Sequence, residues 1–173
     1  MSAFLLPSGH PKTVIVTGGA GGIGAQTIRT FHARGCNVVI ADLPFAKDAA
    51  KILIASLSEP SRALFYETDI TDWQAICGLF RTATEKFGQI NIVIANAGLM
   101  ESKSFFDFEE DVGGELKEPK EAYKVIDVNL KGTMNSTSFL DRVLIQADMQ
   151  QHSDWQCIQC SRTRQTLMVR EDP

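Results

Sequence analysis

Short apolar runs rich in β-branched residues alternate along this chain with segments whose apolar positions recur at helical spacing. The run Thr13-Val-Ile-Val16 predicts a buried strand, and the stripe Ile23, Thr27, Ile28 and Phe31 behind it predicts a helix that Gly35 ends. Asn37-Val-Val-Ile-Ala41 predicts a second strand, Phe45 to Leu57 a second helix closed by Pro60, and Ala63 to Thr68 a third strand. Thr71-x-x-Gln74 has the form of a capping box that opens a helix through Trp73, Ile76, Leu79, Phe80, Ala83 and Phe87, with Gly88 as its stop. Asn91-Ile-Val-Ile-Ala95 predicts a fourth strand. Runs apolar on both faces and separated by helices belong to a parallel sheet covered on two sides. The expected fold class is therefore α/β, a three-layer, doubly wound parallel sheet.

Beyond Gly98 the pattern loosens. Leu99 to Lys117 predicts a loop carrying Phe105, Phe106 and Phe108 among acids, and Pro119 stands where the first turn of a helix tolerates it. That helix has the stripe Ala122, Ile126, Asn129, Thr133, Thr137, Leu140 and Leu144, which puts an amide on the face meant for the core. All 13 glycines fall at or before Gly132, whereas five of the nine glutamines lie in Asp148 to Pro173. A continuing βαβ pattern needs no such shift. The expected division is an N-terminal extension at 1–11, a doubly wound domain at 12–147 and an atypical tail at 148–173, with Trp155 to Cys160 reading as a fifth strand. The second half of the sheet is then incomplete.

At 173 residues, with 44% hydrophobic and 22% charged positions, the composition is that of one ordinary globular domain. A net charge of -4 provides no positive field for nucleic acid or anionic lipid, so neither is an expected partner. The longest uncharged stretch, Thr13 to Ile28, is broken by five glycines and is too short to span a bilayer. Met1 to Leu6 lacks the basic and apolar regions of a secretion signal, so a cytoplasmic, reducing setting is expected, with Cys36, Cys77, Cys157 and Cys160 as free thiols. Cys157-Ile-Gln-Cys160 has no second pair and reads as coincidence, not a zinc site. His10, His32 and His152 lack ligand spacing, so no metal is expected and all are assigned to the surface.

Immediately after the first strand stands Thr17-Gly18-Gly19-Ala20-Gly21-Gly22-Ile23-Gly24. Glycines there let main-chain N–H groups approach a pyrophosphate, and the first turn of the following helix favours an anion through its unpaired N–H groups and partial positive charge. Asp42, at the carboxyl end of the second strand and 18 residues beyond Gly24, can accept hydrogen bonds from a ribose diol and would repel a 2′-phosphate. The predicted cofactor is NAD in preference to NADP. The plainer alternative is a tight turn followed by a solvated or capping carboxylate.

These residues resemble those of the classical short-chain dehydrogenases/reductases. Thr17-Gly18-x-x-x-Gly22-Ile23-Gly24 looks like that family's cofactor turn, with Asp42-Leu43 beyond it; Asp69-Ile70 resembles its adenine-contacting pair; and Asn96-Ala97-Gly98 resembles its Asn-Ala-Gly signature. Asp127-Val-Asn129-Leu-Lys-Gly132 is similar to the segment carrying its active-site asparagine. The resemblance covers Pro11 to Leu140 and implies a Rossmann-type sheet, NAD bound along these motifs, and hydride transfer with an alcohol or ketone. Read from its own chemistry, Asp69 could merely end a strand, but a carboxylate at the carboxyl edge of the sheet can also accept from an adenine amino group. Asn96 could tie two strand ends while Gly98 leaves room for a nicotinamide ribose. Asn129 requires a partner, either a helix carbonyl or an ordered water, and the resemblance favours the water.

Family members also use Tyr-x-x-x-Lys to exchange the substrate's hydroxyl proton, with a serine orienting the oxygen. Here Tyr66 is followed four residues on by Ile70, and Tyr123 by Asp127, so neither supplies it. Ser161 stands near the family's serine, but Cys160-Ser-Arg-Thr-Arg164 does not match the motif. Three readings stay open: an NAD-dependent oxidoreductase of alcohols or ketones represented by a truncated chain, an NAD-binding protein with little or no turnover, and a fragment whose fourth strand exposes an apolar edge. A homo-oligomer is compatible with each.

Overall fold

The structure is a computed structural model that describes residues 11–101, 110 and 113–138 and the strands at 155–160 and 165–170. Four parallel strands form the body of the sheet: β1 (Thr13–Thr17), β2 (Asn37–Asp42), β3 (Ala63–Glu67) and β4 (Ile90–Ala95), in the order β3-β2-β1-β4. All five β1 residues are buried, as expected of a central strand covered on both faces. Side chains alternate between two cores. Val14, Val16, Val38 and Ile40 pack with Ala25 and Ile28 of α1 (Gly22–Ala33) and with Ala50 and Leu53 of α2 (Lys47–Ala55). Ile15, Val39 and Ala41 pack on the other face with Ile76, Leu79, Phe80 and Ala83 of α3 (Trp73–Phe87). This is the three-layer, Rossmann-like arrangement that the hydrophobic pattern predicts.

Several local expectations change. The buried face of α1 is Gly24, Ala25, Ile28 and His32, while Ile23 is 62% exposed. Small residues meet the strand because α1 must approach it closely, which pushes the bulkier Ile23 to the rim. His32 is 2% exposed instead of lying on the surface, and its Nε2 stands 2.9 Å from the Glu59 carbonyl, which satisfies the buried ring. His10 and His152 lie outside the described residues. The second helix opens with a 3₁₀ turn, Pro44–Ala46, before α2 begins at Lys47. Thr71 does not cap α3. The cap is Asp72, whose carboxylate accepts from the Gln74 N–H at 2.8 Å, while Asp69 draws in both the N–H and the hydroxyl of Thr71.

β4 starts one residue early, and its register explains why. Thr13 pairs with Ile90 and Val14 with Ile92, so Asn91 is skipped, and its side-chain oxygen accepts the Thr13 N–H at 2.8 Å. The extra residue reverses the alternation: Ile90 faces α3 with Val93, while Ile92 and Ile94 face α1 and α2.

The expected strand Trp155 to Cys160 forms as β5 (Trp155–Cys160), but β4 does not pair with it. β6 (Gln165–Arg170) lies between them, antiparallel to both, with Ile92 opposite Val169 and Ala95 opposite Thr166. Four residues separate β5 from β6, which permits a hairpin and no parallel crossover. The edge of β4, expected to be bare, is therefore paired. No described helix is long and apolar enough to cross a membrane.

Candidate functional site

The carboxyl ends of β1, β2 and β4 converge on the glycine turn. Gly18 has φ +63°, and its N–H donates to the Ala41 carbonyl at 2.8 Å. A Cβ on Gly18 would lie 2.9 Å from Ala97 Cα, and one on Gly24 would overlap the Gly18 carbonyl oxygen. Glycine at these two positions lets β1, the segment after β4 and the start of α1 meet at one point. Gly21 and Gly22 have a different environment, since a Cβ there would meet nothing within 4 Å. Gly21 precedes α1 without a side-chain cap, so the N–H groups ahead of Ala25, which itself donates to Gly21 O at 3.0 Å, have no acceptor within the helix. Open space beside uncapped N–H groups fits an anionic pyrophosphate. Ile23 stands exposed at the same rim.

Asp42 braces this turn from β2. One carboxylate oxygen accepts the Ala20 N–H at 2.9 Å and the other the Leu43 N–H at 2.9 Å. The capping role is thus real. A carboxylate offers about four acceptor sites, so two accepted bonds leave capacity for an outside hydroxyl.

Asn96 ties β4 to β1. Its side-chain nitrogen donates to the carbonyls of Thr17 at 3.0 Å and Gly18 at 3.1 Å. Thr17, 1% exposed, returns the link: its hydroxyl oxygen accepts the N–H groups of Asn96 and Ala97, each at 3.1 Å. The sequence reading quoted Thr17 as part of the turn and missed this function. A hydroxyl at the buried end of a strand must find partners, and that was the available signal.

Asn129 lies in α4, which begins as an α-helix at Lys120–Ile126, widens to a π-helical stretch at Asp127–Gly132 and is helical again over 133–138. Its protein partner is the main chain of Leu99. The side-chain oxygen accepts the Leu99 N–H at 2.7 Å, and the nitrogen donates to the Leu99 carbonyl at 2.8 Å. A Cβ on Gly98 would come within 3.1 Å of the same Asn129 oxygen, so the missing side chain at Gly98 makes room for this amide. The helix turns a different face inward than the predicted stripe: Gly132 and Ser136 are buried and Ile126 is 47% exposed. Hydroxyls of Thr133, Ser136 and Thr137 each donate to the carbonyl four residues back, the type of back-bonding that loosens a helical ladder.

Asp69 is exposed and turns its carboxylate to Thr71, whereas Ile70 is buried against α3. A Cβ on Gly132 would lie 2.5 Å from Ile70 Cδ1, and the Asn135 side-chain nitrogen donates to the Ile70 carbonyl at 3.0 Å. Asn96, Ala97, Gly98, Leu99, Asn129 and Thr133 line a cleft of about 450 Å³. Gly18, Gly22, Gly24, Asp42, Asn96 and Asn129 are thus brought to one edge, and Ser161 lies outside the described residues. Among the described residues, no cluster of His, Cys, Asp or Glu has the form of a metal site.

The sequence profile of the short chain dehydrogenase family matches residues 12–152. A short-chain dehydrogenase/reductase of Penicillium roqueforti is 34% identical over 134 residues, covering 76% of this chain and 36% of that protein. The cis-4-hydroxycyclohexanecarboxylate dehydrogenase of Sinomonas cyclohexanicum is 39% identical over 93 residues, covering 54% of this chain and 36% of its own length. Among solved structures, a 3-ketoacyl-(acyl-carrier-protein) reductase from Brucella melitensis complexed with NADH aligns with TM-score 0.65 at 25% identity, over 82% of this chain and 53% of that one. The chain thus spans between about a third and about half of the proteins it matches.

Proposed function

Because this chain belongs to the short-chain dehydrogenase family, we propose that it binds NAD along the carboxyl edge of the sheet and forms the coenzyme-binding part of an alcohol or ketone oxidoreductase. The observation that carries this reading is the uncapped start of α1 behind a turn fastened by Asp42 on one side and Asn96 on the other. The main chain from Gly18 to Gly24 would hold the pyrophosphate, with Ile23 beside it. Asp42 and Leu43 would hold the adenosine ribose, Asp69 and Ile70 the adenine, and Asn96, Ala97 and Gly98 the nicotinamide ribose. Bound there, NAD supplies the hydride acceptor. Asn129 contributes by fixing Leu99, so that the wall of the cleft beside the nicotinamide keeps its shape.

A second reading, NAD binding without turnover, is favoured by the absence of Tyr-x-x-x-Lys from these 173 residues. The proton exchanged with a substrate hydroxyl then has no acidified phenol to travel through. Ser161 is carried as a candidate for orienting a substrate oxygen. A reducing, cytoplasmic setting accords with Cys36 and Cys77, both free thiols; burial pushes the Cys36 thiol up, which makes it unreactive.

Fluorescence titration with NADH tests the coenzyme site. Saturable binding, weakened about ten-fold by Asp42→Ala, is expected from the loss of charge-assisted hydrogen bonds. No saturable binding would refute it. Hydride transfer by this polypeptide is expected near background with secondary alcohols. Turnover that survives Asn129→Ala and replacement of both tyrosines would overturn the assignment of roles.

A further inference from the structure

Asp42 has a neighbour that the coenzyme reading leaves unused. Its register partner on β3 is Glu67, one strand spacing or ~4.8 Å away. Ile40 and Phe65, two residues before each, pack in the core shared with α1 and α2, so both carboxylates belong to the face that carries the glycine turn. Lys47, the first residue of α2, spans the connection: its ammonium donates to Glu67 at 2.8 Å. The pair stands in solvent, with side chains 54% and 45% exposed. Hydrogen bonding and charge from Glu67, with a smaller contribution from Asp48, push the Lys47 ammonium above the ordinary lysine range, so it stays cationic at neutral pH. A cation therefore lies within a few residues of the group assigned to the ribose diol, already matched by a carboxylate.

We propose that the Lys47–Glu67 pair sets the preference for NAD over NADP: Glu67 holds the Lys47 ammonium away from a 2′-phosphate that Asp42 also repels. The inference rests on the reading of Asp42 as the ribose acceptor. A phosphate monoester carries close to two negative charges at neutral pH, against one on Glu67. Glu67 acts only through Lys47 and is a positioning residue. Neutralising it frees the Lys47 ammonium for the phosphate, and in solvent this amounts to about a ten-fold change in relative affinity.

The test is the ratio of NADPH to NADH affinity, read by fluorescence titration of the native protein, Glu67→Gln, Glu67→Gln with Lys47→Met, and Glu67→Gln with Lys47→Arg. The ratio should rise about ten-fold in Glu67→Gln, return to the native value with Lys47→Met, persist with Lys47→Arg, and shrink at about 0.5 M salt. A loss of folding alone would not move the ratio in this pattern. An unmoved ratio in Glu67→Gln, or a rise that outlasts Lys47→Met, overturns the inference while leaving the coenzyme site standing. A native protein that binds no NADH removes the site and this inference with it.

Discussion

The two walls of the cleft are held together by different means. At the ends of β1 and β4, Thr17 and Asn96 exchange four hydrogen bonds with neighbouring main chain, and Gly18 and Gly24 leave no room for even a methyl group. Across the cleft, α4 meets the loop through one amide, Asn129 on Leu99, while Tyr123, Ile126, Leu130 and Met134 remain exposed. One wall is fixed by hydrogen bonds and close main-chain contact. Among the described residues the other is held by the amides of Asn129 and Asn135 along a half-covered helix.

The comparison breaks most visibly at Gly24. Gly24→Ala drives a methyl group into main chain and should cost about 3 kcal/mol in denaturant unfolding and abolish NADH binding, whereas Gly22→Ala meets open space and should cost about 1 kcal/mol through its positive φ alone. Equal costs would mean that crowding does not shape the turn. Asn96→Ala leaves carbonyls of the buried tie unpaired, with an expected loss of about 2 kcal/mol. For Asn129→Ala the expected loss is about 1 kcal/mol, because its site is half-exposed, with faster hydrogen exchange at the Leu99 amide as the local signature. Should Asn129→Ala prove costlier than Asn96→Ala, the ranking of the walls is inverted. Last, Ile126→Ser should change stability by no more than about 0.5 kcal/mol, since its side chain is already half in solvent.

The same contrast explains what could be read from the chain. β1, β2 and β4 are legible because burial on both faces leaves apolar runs, and the glycine turn is legible because it follows such a run. The face of α1 is legible only at Ile28 and Phe31, since its other contacts are made by Gly24 and Ala25, which carry almost no hydropathic signal, and by His32, whose burial depends on a carbonyl 27 residues away. Asn91 reads from the sequence as the first residue of the strand because its extra-residue status exists only relative to β1. For the same reason Asn129 was recognised as needing a partner while Leu99 was not foreseen: the partner lies 30 residues back, on a segment with no periodicity. The turn to π geometry at Asp127–Gly132 also shifted the inward face of α4 away from the stripe counted at ordinary helical spacing.

Gly132 accepts the tip of Ile70 in the place where its own side chain would have been, joining the end of the β3 connection to α4. The two positions should therefore drift together over evolutionary time. An alanine at 132 is a burden while isoleucine stands at 70 and becomes tolerable once alanine replaces it, so the fitness effect of either change depends on which came first.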